Sequence, residues 1–101
     1  MFVLLRSSEF DTWLLALKDA KAKARILARL RSASQGNFGD CASVSDGVFE
    51  MRVHVGPGYR VYYMQRDKMI YLLLTGGDKS TQKKDIVRAK EMAQAVKENE
   101  P

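Results

Sequence analysis

The sequence contains few of the residues from which covalent or metal cross-links are built. It has one cysteine, one histidine and two prolines in 101 residues. A single cysteine, Cys41, excludes an intramolecular disulfide, and one cysteine with one histidine excludes a zinc site made from these ligand types. The apolar run at residues 2–5 ends at Arg6 and is too short for a signal peptide or a membrane span. We therefore expect a cytoplasmic protein with no membrane partner, metal ion or cofactor.

The composition indicates one folded domain. Hydrophobic residues make up 46% of the chain and charged residues 29%, which is ordinary for a globular protein. The length leaves no room for a second domain. We expect a single domain over residues 1–101, with a frayed polar end at residues 98–101.

The chain carries a net charge of +5 at pH 7. Residues 1–36 contain seven bases and three acids, and most of this excess lies between residues 18 and 31. A basic domain favours an anionic partner such as nucleic acid. The alternative is a solvated helix face that keeps the protein in solution.

Hydrophobic periodicity predicts the order β-α-α-β-β-β-β-α. A buried strand at 1–6 is followed by two helices that form a hairpin, the first capped by Ser7 or Ser8. Alternating residues then predict strands at 41–45, 48–55, 59–64 and 69–75, the last broken by Gly76-Gly77. A final helix, capped by Ser80 or Thr81, ends the domain. Clustered strands and segregated helices favour an α+β fold with a mainly antiparallel sheet.

The turn at residues 56–58 sets the register of two predicted strands. A three-residue loop pairs His54 with Arg60 and keeps each face of the hairpin chemically uniform, whereas a one-residue slip would mix apolar and charged residues. The same register pairs Arg52 with Tyr62. We therefore expect one face to pack on helices and the other to present these four side chains.

The next predicted hairpin adds a lysine to this face. A two-residue turn at Asp67-Lys68 pairs Tyr62 with Leu73 and Arg60 with Thr75. The end of the last strand then delivers Lys79 to the same place. The expected cluster contains two arginines, a histidine, a tyrosine and a lysine: Arg52, Arg60, His54, Tyr62 and Lys79.

Such a cluster is suited to phosphate chemistry. Arginine offers a bidentate fork and lysine a point charge to a phosphate. A histidine at position 54 can give or take a proton, while Tyr62 can stack on a base. Cleavage of RNA by its own 2′-hydroxyl needs these groups and no metal ion.

Lys83 and Lys84 begin the last predicted helix, where the helix dipole disfavours cations unless an anion binds. An alternative remains open for the whole cluster. The sheet face can be solvated or paired with Glu50 and Asp78, and Asp85 can neutralise the two lysines.

Four runs along nearly the whole chain are similar to the HigB-like "addiction module killer protein" group of the RelE/ParE toxin superfamily. They are 13–19 (WLLALKD), 36–40 (GNFGD), 56–63 (GPGYRVYY) and 76–86 (GGDKSTQKKDI). The resemblance implies a compact RelE-like fold and a bacterial type II toxin that cleaves mRNA on the ribosome. It also implies a cognate antitoxin, commonly with a helix-turn-helix domain, through which the complex binds operator DNA.

The resemblance also bears on individual residues. RelE-like nucleases place basic catalytic side chains on the middle strands, where this chain has Arg52, His54 and Arg60, and Lys79 follows the last strand. The C-terminal histidine of some HigB toxins is missing, and no tyrosine follows Asp78, so the choice of acid and base stays open.

We expect Arg52, Arg60 and Lys79 to hold the scissile phosphate and His54 to transfer a proton. The expected substrate-binding residues are Tyr62, Gln82, Lys83 and Lys84. Two alternatives remain: a ParE-like DNA gyrase inhibitor without chemistry of its own, and a degenerate toxin that only binds its antitoxin.

Overall fold

A computed structural model describes residues 1–99. The predicted order of elements and the α+β class are confirmed. In chain order the elements are β1 (Val3–Arg6), α1 (Ser8–Ala16), α2 (Ala20–Ser34), β2 (Cys41–Ser45), β3 (Val48–Val53), β4 (Tyr59–Asp67), β5 (Ile70–Asp78), a 3₁₀ turn (Lys79–Thr81) and α3 (Gln82–Glu98).

The five strands form one sheet in the order β1-β5-β4-β3-β2. Strand β1 is parallel to β5, and the three other pairs are antiparallel. The prediction that the first strand is buried is wrong, because β1 forms an edge of the sheet. Val3 is 53% exposed and Leu5 42% exposed, while Leu4, which points to the opposite face, packs against the core.

Helices cover both faces of the sheet. One face packs against α1 and α2 through a core whose buried residues are Phe10, Leu14, Ile26, Leu30, Ala33, Met51, Val53, Val61, Tyr63 and Leu73. The other face packs against α3, with buried residues Val48, Tyr62, Met64, Leu74, Ala89 and Ala93. The expectation of one open sheet face is therefore wrong for most of that face: α3 covers its apolar residues and buries Glu50 and Thr75 as well, while Arg52 stays partly exposed.

The register of β3 and β4 differs from the predicted one by two residues. Arg52 pairs with Arg60 and Val53 with Tyr59, whereas Tyr62 pairs with Glu50. The connecting loop spans residues 54–58 and has five residues instead of three. Because side chains alternate with a period of two, a shift of two preserves the face of every residue. His54 lies outside the ladder.

Strand β5 also departs from the prediction. Tyr62 pairs with Thr75 and Arg60 with Gly77, and a β-bulge separates Tyr62 from Tyr63 in this ladder. The bulge places Leu73 on the face of α1 and α2, not with Tyr62 as expected. Gly76-Gly77 does not end the strand, because β5 continues to Asp78.

The two glycines allow helices to approach β5 closely on both faces. A Cβ atom at Gly76 would lie 2.3 Å from Cε3 of the Trp13 ring, on the side of α1. A Cβ atom at Gly77 would collide with the Asp85 carboxylate of α3. The pair is thus required by packing on both faces, which is a common reason for glycine inside a strand.

The helix starts follow local hydrogen bonding. The Ser7 hydroxyl accepts from the Phe10 backbone N–H at 2.9 Å, which confirms Ser7 as a cap. Thr81 is the N-cap residue of α3, as expected, but its side chain makes no capping hydrogen bond. Asp78 caps the preceding 3₁₀ turn and accepts from the Ser80 N–H at 2.8 Å. The expected frayed end comprises residues 98–101. Glu98 is the last residue of α3, and residues 100–101 lie outside the part of the chain that the structure describes.

Among residues 1–99, no helix is both long enough and apolar enough to cross a lipid bilayer.

We expect Gly76→Ala to lower the free energy of unfolding by about 1–3 kcal/mol, because the added methyl group must displace the Trp13 ring. The cost should shrink in a Trp13→Leu background, since a smaller side chain leaves room for the methyl group. Urea denaturation followed by circular dichroism measures the loss in both backgrounds. An equal cost in both backgrounds would contradict the packing explanation.

Candidate functional site

The polar site lies where β3, β4 and the start of α3 meet. Arg52 on β3 and Arg60 on β4 are direct cross-strand partners, so their side chains leave the sheet on the same face. Arg60 also pairs with Gly77 on β5, the strand that leads into the 3₁₀ turn and α3. Three strands therefore bring both arginines beside the first residues of α3.

A buried carboxylate, that of Glu50, lies at the centre of this site. Its side chain is 4% exposed. The Arg52 Nε–H donates to Glu50 Oε1 at 3.0 Å. Arg60 Nε lies 3.3 Å from Oε2 as an ion pair without hydrogen-bond alignment, and Gln82 donates to Oε2 at 3.2 Å. Three predicted site residues thus converge on one carboxylate.

His54 joins the site through a residue that sequence reasoning did not assign. Its Nε2 lies 2.6 Å from Asp40 Oδ2, and its side chain is 72% exposed. Asp40 Oδ1 is 3.5 Å from Arg52 Nη1. The expectation that His54 faces Arg60 across the hairpin is wrong, because the longer loop moves it out of the ladder and toward Asp40.

Asp40 is held in place through its main chain. Its carbonyl accepts from the Arg52 N–H at 2.9 Å and from Arg29 Nη2 at 3.3 Å. The hydrogen bond from His54 lowers the pKa of the Asp40 carboxyl, and the positive charges of Arg52, His54 and Arg29 lower it further. Asp40 therefore presents a stable negative charge to His54.

The predicted lysines line a second part of the site. Lys79, Lys83 and Lys84, together with Ser80, Thr81 and Gln82, surround an open cavity of about 460 Å³. Lys79 lies against the β3–β4 loop, since its Cβ is 3.8 Å from the position of a Cβ at Gly58.

Asp85 does not neutralise these lysines. Its carboxylate accepts a hydrogen bond from the Thr81 hydroxyl instead. Within residues 1–99, none of the three lysines forms an ion pair with a carboxylate. The cavity wall therefore keeps its cations unpaired within the described chain.

Tyr62 cannot stack on a nucleotide base in this structure. The residue is 0% exposed because α3 packs over it. Its hydroxyl has no hydrogen-bond partner within the described residues. Burial raises the pKa of this phenol, and the carboxylates of Glu50 and Asp85 raise it further. Tyr62 thus contributes a neutral ring to the core beneath the site.

A comparison with protein families identifies the group to which this fold and site belong. The family described as "Phage derived protein Gp49-like (DUF891)" matches residues 12–98. The chain belongs to the Gp49-like family. This family consists of toxin-like addiction-module killer proteins, which confirms that part of the resemblance. The family description names neither RelE/ParE nor HigB, so the finer assignment stays a prediction.

A relative of the Gp49-like chain occurs in Haemophilus influenzae (strain ATCC 51907 / DSM 11121 / KW20 / Rd). It is 54% identical over 87 residues, which cover 86% of this chain and 88% of the relative. It is described as an uncharacterized protein. The description of this relative names no activity.

Sequence reasoning named Glu50 only as an alternative ion-pair partner of the cluster, which the structure confirms, and it did not assign Asp40. A signal for Glu50 was present: it stands two residues before Arg52 on a strand, so both side chains share a face. Asp40 lies in the loop before β2, 14 residues from His54. No periodicity connects a loop residue with a distant loop, so only the folded chain reveals this pair.

The lowered pKa of Asp40 predicts a pH dependence of stability. Because the folded pKa is below the ordinary value of 3.8, the carboxylate stabilises the fold above that pH. This contribution is lost as the pH falls through the folded pKa. We expect urea unfolding between about pH 5 and pH 2 to show a smaller loss of stability for Asp40→Asn than for the unmodified chain.

His54→Gln should also reduce this pH dependence, since it removes the largest cause of the shift. Identical pH profiles for all three proteins would show that the Asp40–His54 contact does not form in solution.

Proposed function

We propose that this chain is the toxin of a bacterial type II toxin–antitoxin system. It inhibits translation as an endoribonuclease that cleaves mRNA on the ribosome without a metal ion, as RelE- and HigB-like toxins do. Membership of a family of addiction-module killer proteins supports the toxin role. The net charge of +5 supports an RNA partner.

The observation that carries the proposal is the pairing of Arg52 with Arg60 around Glu50. Arg52 and Arg60 share the Glu50 carboxylate and Arg52 also pairs with Asp40, whereas Lys79 pairs with no carboxylate within the described residues. Both arginines contact Glu50 through Nε, and Arg52 Nη1 faces Asp40, so Arg52 Nη2 and the terminal nitrogens of Arg60 remain for a phosphate. A phosphate would lower the repulsion between these cations, and they would stabilise the charge that develops on it.

RNA supplies its own nucleophile in this reaction. The 2′-hydroxyl attacks the adjacent phosphorus and loses its proton, and the 5′-oxygen leaves with a proton as a 2′,3′-cyclic phosphate forms. His54 is the side chain proposed for proton transfer, because it is 72% exposed and bound to Asp40. Arg52, Arg60 and Lys79 hold the phosphate.

The remaining predicted residues take more restricted roles. Gln82 uses its amide N–H on Glu50, which leaves its carbonyl oxygen for the nucleotide. Lys83 and Lys84 face solvent beside the same cavity and would contact flanking phosphates. Tyr62 has no substrate contact in this proposal, because it is buried.

The proposed partners follow from the toxin role. A cognate antitoxin, carrying a helix-turn-helix domain, would neutralise the toxin and connect the complex to operator DNA. The ribosome would present the mRNA to the site.

The decisive experiment is to map mRNA ends after brief induction in cells. Cuts inside translated regions, together with a fall in protein synthesis, are the expected result. Intact transcripts with poisoned DNA gyrase would instead indicate the ParE-like activity. Intact transcripts, normal growth and tight antitoxin binding would indicate a degenerate toxin.

Lys79→Ala gives the cleanest test of the site within the chain. The side chain is exposed, so its removal should leave the melting temperature unchanged. We expect cleavage on programmed ribosomes to slow by about a hundredfold, the typical cost of losing one preorganised charge-stabilising group. Arg60→Ala is less suitable, because Arg60 is 14% exposed and pairs with buried Glu50.

Lys68→Ala is the matched control for this variant. Lys68 is also an exposed lysine, but it lies in the β4–β5 turn at the opposite end of the strands. The Lys68→Ala protein should cleave mRNA at the same rate as the unmodified protein. Equal slowing by both variants would mean that Lys79 acts only through net charge.

A further inference from the structure

Glu50 carries a carboxylate that is buried away from water, where a charge is energetically unfavourable. It is 3% exposed, on the sheet face that α3 covers. Taking an ionised carboxylate out of water costs several kcal/mol unless cations and hydrogen bonds offset it. An apolar side chain of similar volume often stabilises such a position as well or better. Stability alone therefore does not account for a carboxylate here.

The contacts of Glu50 have a consistent geometry. Oε1 accepts from Arg52 Nε, and Oε2 faces Arg60 Nε and the Gln82 amide. The carboxylate lies between two cations on neighbouring strands and contacts each of them at the inner nitrogen of its guanidinium group. Without it, the two like charges would repel each other and adopt separate rotamers.

We propose that Glu50 is a positioning residue, which holds the guanidinium groups of Arg52 and Arg60 side by side so that together they receive one phosphate. The identity of that phosphate as RNA rests on the proposed function. Glu50 acts through the arginines and not as a proton acceptor, because both of its oxygens already face donors. Its side chain is also only 4% exposed, so a bound substrate would not reach it. Preorganised groups of this kind act mainly on the transition state.

Glu50→Gln tests this role, since it keeps the shape of the side chain and removes its charge. In single-turnover cleavage on programmed ribosomes, we expect the maximal rate to fall at least about tenfold. The half-saturating ribosome concentration should stay the same or decrease, because the site becomes more positive. A purely structural role would instead lower activity in proportion to the folded fraction, and that result would overturn the proposal.

Glu9→Gln is the matched control. Glu9 also pairs with an arginine, with its Oε1 2.8 Å from Arg88 Nη2, but this pair joins α1 to α3 away from the site. It should leave the cleavage rate per folded molecule unchanged.

If Glu50→Gln does not fold, Glu50→Asp replaces it. The shorter side chain keeps the charge but withdraws it from both arginines, so the rate should fall while binding is retained; an unchanged rate would overturn the proposal.

A measurement without RNA separates this inference from the proposed function. In nuclear magnetic resonance spectra, the Arg52 Nε–H group of the unmodified chain, which donates to Glu50 Oε1, should exchange slowly with solvent. Exchange should be at least about tenfold faster in Glu50→Gln, or in Glu50→Asp where the first does not fold. If the unmodified protein does not cleave mRNA but its Nε–H exchange is slow, only the proposed nuclease activity is refuted. If the exchange rate in the Glu50 variant is unchanged, the positioning role of Glu50 is refuted.

Discussion

The buried carboxylate of Glu50 joins the parts of the molecule that build the site. It connects β3, which carries Arg52, to β4, which carries Arg60, and both strands to Gln82 at the start of α3. A buried carboxylate must be matched by donors, so these three elements cannot move independently without exposing an unpaired charge. The position of α3 over the sheet and the position of the two arginines are therefore set by the same contacts.

The close packing of α3 depends on a second constraint, the absence of a side chain at Gly77. The Asp85 carboxylate occupies the space where a Cβ at Gly77 would stand, and it accepts a hydrogen bond from the Thr81 hydroxyl. Farther along α3, Arg88 pairs with Glu9 of α1, and Lys97 donates to the Asp46 carbonyl in the β2–β3 turn. The helix is thus anchored at its start, on one side and near its end. Its exposed lysines at residues 83 and 84 consequently keep a defined place beside Lys79.

This arrangement explains how a small basic protein can gather cationic side chains at the anion site proposed for it. The site contains both signs of charge: Glu50 and Asp40 neutralise part of the charge of Arg52, Arg60 and His54 and orient these side chains. Lys79, Lys83 and Lys84 have no such partners in the described chain and supply the excess. The chain also belongs to a toxin-like family, and the RNA target proposed for this surface is anionic.

The sequence by itself determined the order of the elements, the α+β class and the face of each residue on β3 and β4. Periodicity carries this information, and a register error of two left the faces of Arg52 and Arg60 unchanged. Only the tertiary structure decided the partners. The bulge in β5, the five-residue loop that moves His54 to Asp40, and the cover of α3 over Tyr62 all arise from contacts between distant segments. Local patterns cannot report them, because burial of a side chain depends on which element packs above it and not on its neighbours in the chain.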